Sequence, residues 1–324
     1  MTTEVLRDTS GRRLTTLRLS VTGRCGMGCS YCNGAPDDGG EEAEDPGICE
    51  LARLAGVFTG LGISKIRLTG GEPLVRPDLP ELISQIRPLP GLEEISLTTN
   101  GLLLEMRADE LKFSGVDRVN VSIDSLIPEM FRQLTGVDGL DKVLAGIEAA
   151  ISAGLTPVHL NMVVIRGKND GELPALVEYA RKAGATARFI ELMPVGMSRD
   201  KWRESFFPAS GMLEKLTPLL ASQPGGLPDT SGPARYLPLA GGGEVGIIAG
   251  MSKPFCSDCA RLRLSPRGGL RLCLTADLDA DLLGPLRAGA DDATLAGIIR
   301  ESIKRKPAGG DYGNASVPMS AVGG

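Results

Sequence analysis

Strand-like and helical patterns alternate through the first two thirds of this 324-residue chain, and this alternation constrains the fold more than any other feature. Each of the first five strand patterns is followed by an amphipathic helical pattern, one of which is interrupted near Gly136. Such βα repeats predict a parallel sheet. Six of them are too few for a closed eight-stranded barrel, so we predict an α/β fold with a partial (β/α)6 barrel. The strand patterns lie at residues 14–22, 65–70, 93–100, 117–124, 158–165 and 186–193.

Polar and apolar side chains alternate strictly along five of these strand patterns. In the first, Arg18 opposes Leu17, and in the second, Lys65 and Arg67 oppose Ile66. Alternate residues of a strand point to the same face, so one face would pack on helices and the other would be polar. Burying Lys65 and Arg67 without partners would cost several kcal/mol each. We therefore predict a polar bore that holds a large, partly anionic ligand. An antiparallel sheet with one solvent face is the alternative, which the intervening helices disfavour.

A compositional change near residue 221 divides the chain. A helical pattern at 207–221 is followed by a segment at 221–235 that is rich in Pro, Gly and Ser. This segment predicts a boundary between a barrel at 1–221 and a smaller C-terminal region at 222–324. Beyond it, the sequence predicts a strand at 244–249, a hairpin formed by 261–265 and 269–273, and a helix at 291–306.

The net charge and the cysteines narrow the choice of function. A formal net charge of -5 argues against a nucleic-acid-binding surface. The N-terminal residues lack the apolar stretch of a secretory signal, and no apolar run could span a bilayer. We therefore expect a cytoplasmic protein, in which cysteines stay reduced. Six of the seven cysteines nevertheless fall in two triads, which indicates metal binding. The first triad is Cys25, Cys29 and Cys32, and the second is Cys256, Cys259 and Cys273.

Each triad offers three thiolates where a closed metal site would have four ligands. Closely spaced thiolates suit zinc or an iron–sulfur cluster, and three ligands leave one metal position open. The alternatives are a zinc knuckle at the first triad and, at the second, a zinc site completed by Cys49. Otherwise we predict that Cys49 is a small buried side chain of a helix. Arg261 and Arg263, two apart on one strand face, suit a purine edge or phosphates.

Two glycine-rich segments have the composition of ligand-binding loops. Residues 68–73, LTGGEP, follow the second strand pattern, where Gly71 would let the backbone approach a ligand and Glu72 could accept hydrogen bonds from an ammonium group. A plain turn is the alternative. Residues 241–246 fit G-x-G-x-x-G but lead into a strand, which excludes a dinucleotide-binding fingerprint. No Walker motif is present, so a nucleotide here would be a substrate.

Taken together, the motifs resemble one family. The first triad has the spacing CxxxCxxC with Tyr31 before its last cysteine, and the second has CxxC-x13-C with RxR between. With TGGEP, TTNG (98–101), VSIDSL (121–126), FIELM (189–193) and the terminal Gly323-Gly324, the chain resembles the GTP 3′,8-cyclase family of radical SAM enzymes from about residue 14 to its end. This family implies a radical SAM barrel whose C-terminal extension carries a second iron–sulfur cluster.

The resemblance implies two [4Fe-4S] clusters, each held by one triad. The open iron would bind S-adenosylmethionine (SAM) at the first triad and the guanine of GTP at the second. Implied SAM contacts are Tyr31, Gly71, Glu72, Ser122 and Met193. Implied GTP contacts are Arg18, Lys65, Arg67, Thr98, His159, Arg188, Arg261, Leu262 and Arg263. The implied catalytic residues are Arg261, Arg263 and the terminal Gly323 and Gly324, which would reach into the site.

The implied reaction belongs to molybdenum cofactor biosynthesis. SAM is cleaved to methionine and a 5′-deoxyadenosyl radical, which removes hydrogen from ribose C3′ of GTP, and the substrate radical attacks guanine C8. The implied partners are a reductant such as flavodoxin or ferredoxin, a downstream cyclic pyranopterin monophosphate synthase and a second copy of the chain, without nucleic acid or membrane. Two alternatives stay open: a radical SAM enzyme that modifies a peptide or another nucleotide, and a non-enzymic metal-binding module.

Two departures from the family pattern are visible. His159 stands where the family usually has a lysine for the triphosphate, and a neutral imidazole, with an ordinary pKa of about 6.5, contacts phosphate more weakly. We expect bound triphosphate to raise the pKa of His159, so that GTP affinity falls as the pH rises through about 7 to 8. The segment at 33–47 is more acidic and glycine-rich than the family pattern.

Overall fold

The predicted alternation of strands and helices is present in the computed structural model, which describes residues 5–32, 45–195, 197–228 and 232–310. The strands are Thr16–Ser20 (β1), Lys65–Thr69 (β2), Glu94–Thr99 (β3), Arg118–Ser122 (β4), His159–Val164 (β5), Thr186–Glu191 (β6), Arg235–Pro238 (β7), Glu244–Ile248 (β8), Arg261–Leu264 (β9), Gly269–Arg271 (β10) and Ala280–Asp281 (β11). The α-helices are Ile48–Gly60 (α1), Leu79–Ile86 (α2), Leu104–Ser114 (α3), Pro128–Thr135 (α4), Leu140–Ser152 (α5), Leu173–Ala183 (α6), Arg199–Ser205 (α7), Ala209–Leu216 (α8), Leu283–Arg287 (α9) and Asp292–Ile303 (α10).

All six predicted barrel strands are confirmed, and they pair in parallel in chain order from β1 to β6. The predicted interruption near Gly136 is also confirmed. There α4 ends and the chain passes through a left-handed conformation (φ 77°) before α5 begins. Glycine adopts this conformation without the steric cost that a side chain would bring. The parallel, partial barrel predicted from the pattern is therefore the observed core of the fold.

The C-terminal strands extend this sheet at both ends. β9 pairs in parallel with β1, and β8 pairs in parallel with β6, so eight neighbouring strands run in the same direction. The predicted hairpin is confirmed as β9 and β10, which pair antiparallel, and β7 pairs antiparallel with β8. The sheet stays open, with β11 and β7 at its edges. Strands from both sides of the boundary proposed at residue 221 thus belong to one sheet.

Three local predictions were wrong, and one helix was not predicted. The segment at 197–205 contains a helix, α7, that the sequence pattern did not predict, and the predicted helix at 207–221 is shorter, with α8 ending at Leu216. Arg235, assigned to the Pro/Gly/Ser-rich linker, begins β7. Cys49, predicted to be buried, is exposed because it lies in the first turn of α1 on the face away from the core.

The apolar face of the strands packs against the helices. Leu17, Leu19, Ile66, Leu68 and Leu160 are completely buried and belong to one continuous hydrophobic core. Each lies at an alternate position to a polar residue of the same strand, so the predicted two-faced strand pattern is confirmed. No helix in the described residues is long and apolar enough to cross a membrane.

Candidate active site

Four arginines occupy one row across four neighbouring strands. Arg18 of β1 is in register with Arg67 of β2 and with Arg263 of β9, and Arg263 is in register with Arg271 of β10. Paired residues of adjacent strands point to the same side of the sheet. The four guanidinium groups therefore face the same space, on the polar side of the sheet.

Burial and mutual repulsion lower the pKa values of the arginines in this row. Burial, followed by Arg263 and Arg67, lowers the pKa of Arg18. Burial and Arg261 lower the pKa of Arg263 to about 9, and burial and Arg118 lower that of Arg67 to about 10. With pKa values of about 10 and about 9, Arg67 and Arg263 are still charged at neutral pH. An anion placed among these groups would relieve both causes of the shifts, so the row is suited to bind phosphate.

The opposite part of the polar face carries buried polar atoms that lack a hydrogen-bond partner within the described residues. They are Thr98 Oγ1, His159 Nδ1, Asn161 Oδ1 and Arg188 Nε. Arg188 of β6 does donate from Nη2 to Asn120 Oδ1 over 3.1 Å. Buried polar atoms that stay unsatisfied cost about 1–3 kcal/mol each. A polar ligand that reaches β3, β5 and β6 together would satisfy them.

His159 is uncharged in the protein without ligand. Burial, followed by Arg188 and Arg118, lowers its pKa to about 3. The pH window of 7 to 8 suggested above for GTP binding does not follow from this value. To bring the pKa above 7, bound triphosphate would have to supply roughly 5 kcal/mol at this one side chain, since a unit of pKa corresponds to about 1.4 kcal/mol. The structure therefore favours a neutral imidazole at neutral pH.

The first triad lies in the loop at the carboxyl end of β1. Backbone hydrogen bonds dock this loop on the end of α4, from Gly28 N to Thr135 O (2.9 Å) and from Ser30 N to Leu134 O (2.8 Å). Tyr31 donates its hydroxyl to Asp124 Oδ2 over 2.5 Å. Asp124 also accepts from the amide of Val163 at 2.9 Å, and burial raises its pKa to about 6. This buried carboxyl thus positions the triad loop against β4 and β5.

The GGEP loop packs directly on the chain that leads into the first triad. Gly71 donates its amide to Thr22 O (2.8 Å), and a Cβ atom at Gly71 would lie 2.3 Å from Arg24 O. Only glycine allows this approach. Glu72 donates its own amide to Arg24 O (2.7 Å).

The Glu72 carboxylate connects β2 with β3. It accepts hydrogen bonds from Leu74 N (3.0 Å), Thr99 Oγ1 (2.8 Å) and Asn100 N (2.6 Å), and burial raises its pKa to about 7. A carboxylate has about four lone-pair positions, so a ligand ammonium group could still bind it. Glu72, Gly26 and Asn100 line a cavity of about 330 Å³ beside the triad loop.

The second triad lies at the other end of the strands. Cys259 precedes β9, which runs parallel to β1, and Cys273 follows β10, which runs antiparallel to β9. Both thiols therefore lie at the amino ends of the parallel strands, whereas the first triad lies beyond their carboxyl ends. A five-residue strand such as β1 spans about 16 Å, so the polar face between the triads has the length of a nucleotide.

Other parts of the chain contact the second triad and the loop that leads to it. Glu191, at the end of β6, accepts from the amides of Met251 (2.7 Å) and Ser252 (2.8 Å) in the loop before Cys256. Burial alone would raise the pKa of Cys259, but Arg261 and Lys306 lower it to about 7. Gly310 N donates to Cys256 Sγ over 3.3 Å.

Other predicted site residues have varied positions. Lys65 is exposed at the start of β2, and the side chain of Leu262 is buried in the core, so only its backbone could contact a ligand. Ser122 of β4 is in register with Asn161 of β5. Met193 is partly buried, with its sulfur 3.1 Å from where a Cβ of Gly250 would lie. Gly323, Gly324 and most of the acidic segment at 33–47 lie outside the described residues.

The triads fit iron–sulfur clusters in their chemistry. Each provides three thiols and no oxygen ligand, and thiolates are the usual ligands of such clusters. In the described parts of the chain, no three His, Cys, Asp or Glu side chains are arranged around a single metal ion.

Comparison with known proteins agrees with this geometry. The family model of the Radical SAM superfamily matches residues 19–180, and that of Molybdenum Cofactor Synthesis C matches residues 185–312. The chain is 44% identical over 309 residues to the GTP 3′,8-cyclase of Moorella thermoacetica, which covers 94% of both chains. The chain belongs to the GTP 3′,8-cyclase family. The GTP 3′,8-cyclase of Streptomyces coelicolor is 41% identical over 331 residues, which is 99% of this chain and 96% of the relative.

Solved structures confirm the fold of this family member. Streptococcus suis SuiB matches with a TM-score of 0.61 at 15% identity, over 94% of this chain and 76% of SuiB. The protein anSMEcpe with bound AdoMet matches with a TM-score of 0.50 at 18% identity, over 63% of this chain and 58% of that one. At these identities the likeness extends to the radical SAM fold alone.

Some residues of the site carried no signal in the sequence. Lys306 and Arg12 contact the second triad from segments far from it in the chain, and their residue types are ordinary for exposed positions. Asp124 is the last residue of the fourth strand pattern, but its hydrogen bond to Tyr31 depends on the path of the triad loop. Arg271 could have been found, because it lies two residues before Cys273 on the predicted hairpin.

Proposed function

We propose that this protein converts GTP to (8S)-3′,8-cyclo-7,8-dihydroguanosine 5′-triphosphate, as a radical SAM lyase of molybdenum cofactor biosynthesis. The observation that carries the proposal is the cationic polar face that separates two cysteine triads at opposite ends of the parallel strands. It is supported by the matching of nearly the whole chain to the GTP 3′,8-cyclase of Moorella thermoacetica.

In this proposal, GTP lies along the polar face. The triphosphate is held by the arginine row, Arg18, Arg67 and Arg263, together with Lys65 and Arg188. Thr98 and His159 contact it from β3 and β5, and Arg261 and the Leu262 backbone contact the guanine beside the second triad. The buried atoms of Thr98, His159 and Arg188 that lack a hydrogen-bond partner among the described residues support this arrangement.

SAM lies beside the first triad in this proposal, near the cavity lined by Gly26, Glu72 and Asn100. Gly71 leaves room for the ligand, Glu72 accepts the methionyl ammonium group, and Tyr31, Ser122 and Met193 contact the remainder. The first cluster, when bound, supplies the electron that cleaves SAM. The protein's own contribution is to hold ribose C3′ and the adenosyl group together and to exclude water. Gly323 and Gly324 are proposed to complete the site at the guanine end.

The partners and location follow from this activity. A small electron carrier such as flavodoxin or ferredoxin would reduce the clusters, and a cyclic pyranopterin monophosphate synthase would consume the product. A homodimer and a cytoplasmic location are also proposed. The seven free cysteines support a reducing compartment.

The test is an anaerobic assay of reconstituted, reduced protein with SAM and either GTP or ATP. We expect 5′-deoxyadenosine and a cyclised nucleotide with GTP, and neither above background with ATP. A Cys25→Ala variant should form neither with GTP. SAM cleavage that no nucleotide stimulates would contradict the proposal and favour a peptide substrate.

A further inference from the structure

A lysine ammonium group is buried at the second triad. Lys306, four residues before the described part of the chain ends at residue 310, is only 4% exposed. Its Nζ donates to Arg261 O (2.9 Å) and to Leu272 O, and lies 4.0 Å from Cys259 Sγ. Arg261 lies two residues after Cys259, and Leu272 directly precedes Cys273. The Lys306 side chain therefore connects the two chain segments that carry these cysteines.

The surroundings of Lys306 lack a matching negative charge. Burial of an ammonium group costs several kcal/mol unless an anion or strong hydrogen bonds compensate for it. In the described part of the chain, no carboxylate forms a salt bridge with Lys306 (the nearby Asp8 is bound to Arg12 at 2.6 Å). The charges that act on it are Arg12, which repels it, and Asp8, Cys259 and Cys273, which attract it.

Arg12 holds the segment that carries Lys306. It donates to Cys256 O (2.8 Å), to Pro307 O (2.7 Å) and to Ala308 O (3.2 Å). Asp8 forms a salt bridge with Arg12 and compensates for its charge. The role of Arg12 is therefore to position the segment that carries Lys306. Lys306 is therefore fixed against the triad from one side by Arg12 and from the other by two carbonyl groups.

We propose that Lys306 is a positioning residue and the counter-charge of the second iron–sulfur cluster, and that it raises the reduction potential of that cluster. A four-iron cluster with three thiolates is anionic, and it becomes more anionic when it accepts an electron. A fixed ammonium group 4.0 Å from one of its sulfurs stabilises the reduced form more than the oxidised form. The inference rests on the proposed function, in that it requires a cluster at Cys256, Cys259 and Cys273.

The experiment isolates this cluster. In a chain with Cys25, Cys29 and Cys32 replaced by Ala, iron content and the EPR signal report only the second cluster. A redox titration followed by EPR is then made with Lys306 intact, with Lys306→Met and with Lys306→Arg. We expect Lys306→Met to lower the equilibrium constant for one-electron reduction at least tenfold, which corresponds to about 59 mV, and Lys306→Arg to retain most of the potential.

Two further variants separate charge from structure. Lys304→Met removes the same charge from an exposed side chain, 62% accessible and paired with Glu301, and should leave the potential unchanged. Lys306→Gln keeps hydrogen-bond donors without the charge, so it should also lower the potential even if Lys306→Met loses iron. An unchanged potential in Lys306→Met or Lys306→Gln, with the cluster intact, would overturn the inference. Absence of any cluster in the parent triple variant would instead contradict the proposed function.

Discussion

The two cysteine triads have the same number of thiols but opposite electrostatic surroundings. At the first triad, burial and then Asp124 raise the pKa of Cys29. At the second, Arg261 and Lys306 overcome the effect of burial and lower the pKa of Cys259 to about 7. The same fixed charges act on any anion that a triad holds. The first triad is thus suited to a centre that resists reduction and gives its electron away, and the second to a centre that binds anionic substrate.

The largest expected effect comes from removing one thiol at a time. Cys29→Ala should lower both 5′-deoxyadenosine and cyclised product on the order of 10³-fold, because it removes the centre that reduces SAM. Cys259→Ala should lower cyclised product by a similar factor but retain 5′-deoxyadenosine formation within about tenfold. Both products are measured by chromatography after anaerobic incubation.

Cys49→Ala serves as the matched control, because this cysteine is exposed on α1 and belongs to neither triad. It should leave both products unchanged. Equal losses of 5′-deoxyadenosine in Cys29→Ala and Cys259→Ala would show that the triads do not have separate roles.

A smaller effect is expected from the negative charge at the first triad. Asp124 has a pKa of about 6 in the folded protein against an ordinary value of 3.8, so its ionisation is more costly in the folded than in the unfolded state. The free energy of unfolding is therefore highest below about pH 4, where Asp124 is protonated in both states, and it falls as the pH rises to about 6. The loss amounts to at most about 3 kcal/mol, at about 1.4 kcal/mol per pKa unit.

Asp124→Asn removes this dependence. Urea unfolding of the metal-free protein between pH 4 and 7 should show the parent protein losing stability relative to the variant as the pH rises. Asp200→Asn, at a side chain that is 90% exposed, should follow the parent profile. Parallel profiles for the parent and Asp124→Asn would mean that burial does not raise the pKa of Asp124 in the folded protein.

The smallest expected effect concerns His159, whose protonation reports the positive charge of the neighbouring arginines on the polar face. Because Arg188 and Arg118 add to burial in lowering the pKa of His159 to about 3, the imidazole should stay neutral from pH 6.5 to 8. GTP affinity, measured by calorimetry without SAM, should follow the same pH profile in the parent and in His159→Gln, within about twofold. A fall of tenfold or more from pH 7 to 8 in the parent alone would restore the earlier expectation that bound triphosphate protonates His159.

Much of the fold could be predicted because its signals are local. Polar and apolar alternation in β1 to β5 follows from side-chain geometry within each strand, and the break after α4 follows from a single glycine. The pairing of β9 with β1 and of β8 with β6 could not be predicted in this way. These strands meet partners far away in the chain, and no pattern in either strand identifies the other.

The site was predictable to a similar extent. Both triads and the polar face could be located from spacing and alternation. The electrostatic contrast between the triads could not, because it depends on Asp124 and Lys306, which reach the cysteines only through tertiary packing. Lys65 shows the opposite limit of prediction, since it has the residue type and alternation of the polar face but is exposed at the start of β2.

The position of β1 between β2 and β9 has a consequence for biosynthesis on the ribosome. Thr16, in the first strand, is in register with Arg261, which is translated 245 residues later. Translation proceeds at roughly 5–20 residues per second, so this edge of β1 has no partner strand for about 12–50 s, until β9 is made. Until then that edge is open to mispairing. The second iron centre cannot be loaded before this later part of the chain has been translated, whereas the loop that carries the first three thiols is made near the outset.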